Sequence, residues 1–142
     1  MRVELLYFDG CPSYERLLPR LRGLVAESAP GAEVELRRVE SIDDAERMRF
    51  IGSPTVRVDG MDVDPTASKR DDFGLQCRLY RTGEGTAPVP PDDWIRHALA
   101  KRHRDHATRI APRAGPSIHL RGVEPPRAFT PQGPQPCCRG SF

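Results

Sequence analysis

The sequence predicts one α/β domain of order β-α-β-α-β-β-α over residues 1 to 106, followed by a disordered tail from 107 to 142. Three observations predict it. Apolar residues switch between strand and helix periods up to about residue 103, an Asp-Gly turn folds two strands back on each other, and the composition changes abruptly near Ala107.

Arg2 to Phe8 is almost continuously apolar through Val3, Leu5, Leu6, Tyr7 and Phe8, the pattern of a strand buried on both faces and therefore central. From Ser13 to Ala29, Leu17, Leu18, Leu21, Leu24 and Val25 form a helical stripe that Pro30-Gly31 ends. Pro19 removes one backbone donor inside that helix and should kink it. Ala32 to Val39 sets Val34, Leu36 and Val39 among charged residues, as a half-exposed strand does. Ser41 can cap a second helix, with Asp43 and Asp44 in a first turn where the dipole favours acids, and this helix should end near Gly52. Ser53 to Val58 runs into Asp59-Gly60, and Met61 to Asp64 returns, so a hairpin is expected. Pro90-Pro91-Asp92 opens a last helix reaching about His103, with Trp94, Ile95, Ala98 and Leu99 on one face.

The net charge of +2 is unevenly spread. Residues 1 to 100 carry 14 Lys plus Arg against 18 Asp plus Glu, whereas the remaining 42 carry 8 against 2. From Ala107 onward 11 of 36 residues are Pro or Gly without a repeat, too little apolar material to order a chain. The tail arginines (Arg109, Arg113, Arg121, Arg127, Arg139) are spread singly, with only Phe129 and Phe142 as aromatics, so a solvated tail is favoured over a nucleic-acid arm.

The first apolar run, Leu5 to Phe8, is too short for a signal peptide, and no segment approaches the roughly 20 apolar residues of a membrane span. A cytoplasmic protein with no membrane partner is expected. Thiols there stay reduced, so cysteines 11, 77, 137 and 138 do not read as a disulfide scaffold. No phosphate-cradling loop, Ser/His/Asp arrangement or zinc-ligand spacing appears, and no cofactor is called for. His97, His103 and His106 suit a helix C-terminus without a metal. Cys137-Cys138 could grip a soft metal ion, although its Pro/Gly-rich setting favours an incidental pair.

Cys11 stands where the first strand gives way to a helix. There the unpaired N–H groups and the positive end of the dipole favour thiolate, the nucleophilic form. The run Cys11-Pro12-Ser13-Tyr14 has tyrosine where the second cysteine of Cys-x-x-Cys would stand, so that motif alone supplies no dithiol turnover. Packing is the competing role, since free cysteine is among the most buried residue types. Cys77 is the obvious second thiol. In an extended 73–80 segment Phe73, Leu75, Cys77 and Leu79 share one face, which suits a core role as well as a catalytic one, and a bridge to Cys11 needs Cα atoms within roughly 7 Å. Asp9 could move a proton for the thiol, but Asp9-Gly10 is also an ordinary turn pair, and a carboxylate there would oppose the helix end. Arg70 and Arg78 read as solvated charges before anion binders. Asp64, Asp71 and Asp72 read as loop and cap residues.

The element order, the cysteine at the first strand-to-helix junction and Ser53-Pro54-Thr55 at the opening of the third strand together resemble the thioredoxin-like fold, over residues 2 to about 103. The resemblance implies a mixed sheet with the fourth strand antiparallel to the third, helices on both faces, and a cis Pro54 facing Cys11. An internal proline in the first helix also fits it. YFDGCPSYERLLPRL, GSPTVRVDGMDVDP and DFGLQCRLY look like small bacterial thioredoxin-like proteins often labelled alkylmercury lyase family. Pro12 after the cysteine resembles glutaredoxins, some of which resolve a single thiol with glutathione.

The leading expectation is therefore a thiol-based redox protein, in which Cys11 opposite Pro54 exchanges with a thiol or disulfide substrate, glutathione or a protein. An organomercurial lyase-like or soft-metal protein using Cys11 and Cys77, with Asp9 as the acid, is the second reading. A redox-inert binding module is the third.

Overall fold

The computed structural model describes residues 1–110 of the 142, side chains to Arg109. The expected tail lies, from residue 111 on, outside the described residues, with Cys137, Cys138 and the arginines beyond Arg109.

The chain is mixed α/β. Strand β1 (Arg2–Tyr7) leads into helix α1 (Pro12–Ser28), strand β2 (Glu33–Arg38), helix α2 (Ile42–Arg47) and the hairpin β3 (Thr55–Val58) and β4 (Met61–Asp62). A short 3-10 turn (Ala67–Lys69), a second hairpin β5 (Tyr80–Thr82) and β6 (Gly85–Ala87), and helix α3 (Asp92–Ile110) complete it. The main sheet has the order β2-β1-β3-β4, parallel between β1 and β2 and antiparallel elsewhere, and β5-β6 forms a separate ribbon. Helices cover both faces of the sheet, as expected.

Strand β1 is central because its side chains are needed on both faces. Val3 and Leu5 join Val56 and Val58 in a core closed by Leu17, Leu21, Leu24 and Val25 of α1 and by Ile95 and Leu99 of α3. Leu6 turns the other way, to Val39, Ala45 and Phe50 around α2. Glu4 is also buried, and it is held by Arg37 at 2.8 Å and Arg2 at 3.1 Å. Each fully buried Leu or Val contributes about 1.5–3 kcal/mol, so these two cores supply most of the drive to fold.

Two boundaries and one element differ from expectation. Helix α2 stops at Arg47, short of Gly52, because Arg49 adopts a left-handed φ of 50° and closes the helix end: Phe50 N donates to Ala45 O and Arg49 N to Glu46 O. Helix α3 runs through His103 and the expected boundary at residue 106 to Ile110, since Ala107, Thr108 and Arg109 contain no breaker and Pro112 is the next proline. The β5-β6 ribbon was not expected from the pattern. The Ser41 cap is present, its Oγ accepting from Asp44 N at 3.1 Å, and Asp59 and Gly60 make the hairpin turn with φ of 48° and 79°. Helix α1 is continuous through Pro19.

Candidate functional site

Cys11 is the residue that caps the start of α1, with extended backbone (φ −93°, ψ 109°). Gly10, at φ 92°, turns the chain out of β1 and delivers it there. The thiol makes no capping hydrogen bond to the helix. Instead Cys11 Sγ donates to the Ser53 carbonyl oxygen at 3.5 Å, and the side chain is only 2% exposed. The Ser53-Pro54 peptide is cis, and Pro54 is buried.

The backbone beside Cys77 meets the same carbonyl. Residues 76–78 pass alongside Ser53 as a short parallel bridge, with Ser53 N donating to Gln76 O (2.8 Å) and Arg78 N donating to Ser53 O (2.9 Å). One carbonyl thus ties the Cys11 thiol to the backbone that carries Cys77. Cys77 is exposed, and its thiol is pushed up from the ordinary value by desolvation first and then by the neighbouring Cys11 thiol. Like-charge coupling of this sign means that one thiolate makes the second harder to form. The closeness of this strand to Ser53 depends on Gly52. At its φ of 128°, a Cβ would lie 2.8 Å from Gln76 O and 3.1 Å from Arg78 Cβ.

The pattern along 73–80 is the reverse of the hydrophobic reading. Leu75 (38% exposed), Cys77 and Leu79 (56%) face outward, and the inward residues are Arg78 and Tyr80, both fully buried. Arg78, expected to be solvated, instead forms the centre of a buried polar network. Its guanidinium donates to both Asp62 oxygens (2.8 and 3.0 Å), to Asp64 Oδ2 (3.1 Å) and to Thr55 Oγ1 (2.9 Å). It also lies 4.3 Å from the Tyr80 ring centroid. Burial alone would lower its pKa, but Tyr80, Asp62 and Asp64 more than offset this. Tyr80 OH donates to Pro54 O at 2.7 Å, and burial pushes its phenol well up, so it stays a donor. Arg78 and Tyr80 therefore tie the segment after Cys77 to Thr55 and Pro54, the residues that follow Ser53. Arg78 and Tyr80 share a parity in the sequence, but no residue beside them marks that face as the inward one.

Of the expected site residues, Cys11, Pro54 and Cys77 come together and Asp9 does not join them. Its side chain is 71% exposed and pairs with Arg38 at 3.1 Å, as a turn residue would. Asp64 caps Thr66, from its N at 2.8 Å and its Oγ1 at 2.7 Å, while holding Arg78. Desolvation would raise the Asp64 carboxyl, but the Thr66 and Arg78 hydrogen bonds hold it below its usual value. Tyr14, in the place of a second Cys-x-x-Cys cysteine, stacks on Tyr7 with ring centroids 4.0 Å apart. His97, His103 and His106 are exposed on α3. Among the described residues no cluster of three or more His, Cys, Asp and Glu side chains could hold a metal ion, and no helix is long and apolar enough to cross a membrane. Compared with family models, curated proteins and solved structures, the chain matches none.

Proposed function

We propose that this chain is a thiol–disulfide exchange protein whose working pair is Cys11 and Cys77. The observation that carries the reading is their shared anchor, the Ser53 carbonyl, which accepts from the Cys11 thiol and from the Arg78 N–H adjoining Cys77. The likeness to thioredoxin-like proteins supports it, since a cysteine at the first strand-to-helix junction faces a cis proline in both.

Exposure assigns the order of events. Cys77 meets an external disulfide first, because it is exposed and Cys11 is buried. Its thiolate attacks one sulfur of R–S–S–R, forming Cys77–S–S–R and releasing one thiolate. Cys11 then attacks the Cys77 sulfur as the thiolate, closes the Cys11–Cys77 bridge and releases the second. The protein gives up two electrons and two protons, and the substrate leaves as two thiols. When Cys11 loses its proton it also loses its bond to Ser53 O, yet that oxygen keeps the Arg78 N–H. A cytoplasmic thiol pool would return the pair to the dithiol. The organomercurial reading has less support, because Asp9, its acid, is turned outward to Arg38.

Single-turnover exchange tests this on the full chain with Cys137 and Cys138 changed to serine. Given bis(2-hydroxyethyl) disulfide, the reduced chain should release both product thiols. Cys11→Ser should release only the first and retain a mixed disulfide on Cys77, and Cys77→Ser should react slowly until unfolded. Release of both thiols by Cys11→Ser would overturn the assignment.

A further inference from the structure

Cys77 opens onto a surface cleft of about 750 Å³, a size suited to a small molecule. Lys69, Arg70 and Arg81 line it, with Leu79 as an apolar wall. The two acids in the lining are already engaged: Asp64 by Arg78 and Thr66, and Asp72 by Arg70. Lys69 and Arg81 are exposed and have no carboxylate partner among the described residues. Both line the same cleft as Cys77, where they can act on the charges of a molecule bound there.

We infer that the disulfide reduced by this pair is a low-molecular-weight one bearing carboxylates, seated in the cleft with its anionic arms on Lys69 and Arg81. This rests on the Cys11–Cys77 reading above. The attack on such a disulfide is the step already written, with the substrate as the oxidant. Leu79, more than half exposed at the cleft wall, packs on the carbon chain between sulfur and carboxylate.

A charge series of disulfides with like sulfur chemistry tests it: 3,3′-dithiodipropionate (anionic), bis(2-hydroxyethyl) disulfide (neutral) and cystamine (cationic). Rates are measured with the reduced full chain carrying Cys137→Ser and Cys138→Ser, and each is divided by the rate with free 2-mercaptoethanol to remove intrinsic reactivity. The anionic disulfide should be favoured over the neutral one by about threefold or more, and the cationic one disfavoured, as expected for a few exposed ion pairs. The preference should shrink as salt is added. Lys69→Ala with Arg81→Ala should abolish it, and Arg81→Glu should invert it. Equal normalised rates for all three disulfides, or a preference untouched by the Lys69 and Arg81 changes, would overturn the inference while leaving the thiol pair standing. Reaction with none of the three would instead remove the thiol pair itself, and this inference with it.

Discussion

Replacing Gly52 with alanine should separate the two thiols as well as destabilise the fold. Its φ of 128° is a conformation that side-chain-bearing residues rarely adopt, and holding one there costs about 1–3 kcal/mol. The added Cβ would also sit 2.8 Å from Gln76 O and 3.2 Å from Arg78 N, backbone atoms that cannot swing aside. Relief must come from moving the 76–78 segment away from Ser53, which stretches the Ser53 N to Gln76 O and Arg78 N to Ser53 O bonds, each worth about 0.5–1.5 kcal/mol. The sum is roughly 2–6 kcal/mol, read from urea unfolding of the reduced protein. The same shift carries Cys77 away from Cys11, so the fraction bridged in a thiol–disulfide buffer should fall. Gly60→Ala is the control: φ is also positive, at 79°, but nothing lies within 4 Å of the new Cβ. It should cost only about 1–2 kcal/mol and leave the bridge equilibrium alone. The reasoning fails if Gly52→Ala loses no more stability than Gly60→Ala and bridges to the same extent.

Arg78→Met should destabilise by about 3–5 kcal/mol in urea unfolding, because Asp62 and Asp64 lose their buried counter-ion, and a loss below about 1 kcal/mol would contradict the network. Asp64, with its folded carboxyl held low, contributes stability above the unfolded carboxylate value of about 3.9 that is lost as pH falls through the folded value. Asp64→Asn should therefore flatten the fall of melting temperature below about pH 4, and an unchanged slope would refute the assignment. Because the Cys77 thiol is raised by desolvation and by Cys11, its alkylation rate should keep rising with pH beyond the ordinary thiol range. Cys11→Ser should move that titration to lower pH, and a midpoint that stays put would mean that the thiols do not interact.

The main sheet was legible because its strands and helices carry their own signals. The continuous apolar run of β1, the Leu17–Val25 stripe, the Ser41 cap and the Asp59-Gly60 turn each have one local physical cause. The end of α2 was hidden, because a left-handed arginine leaves no mark that a glycine would. The 73–80 segment misled for a different reason. Its apolar residues and Cys77 fill one face, but burial there follows Arg78, whose partners Thr55, Asp62 and Asp64 come from β3, β4 and the turn after them. A charged residue satisfied by acids distant in sequence cannot be recognised from its neighbours. Cys11 and Pro54 were visible from the element junctions they occupy, whereas the approach of Cys77 depends on the close passage at Gly52.

The most direct test of the Cys11–Cys77 pair is peptide mapping of the gently oxidised full chain carrying Cys137→Ser and Cys138→Ser. Trypsin should yield the segment 3–16 joined by a disulfide to the segment 71–78, and reduction should separate them. An oxidised chain in which both segments remain free, or in which Cys77 links only to a second molecule while Cys11 stays a thiol, would contradict the account.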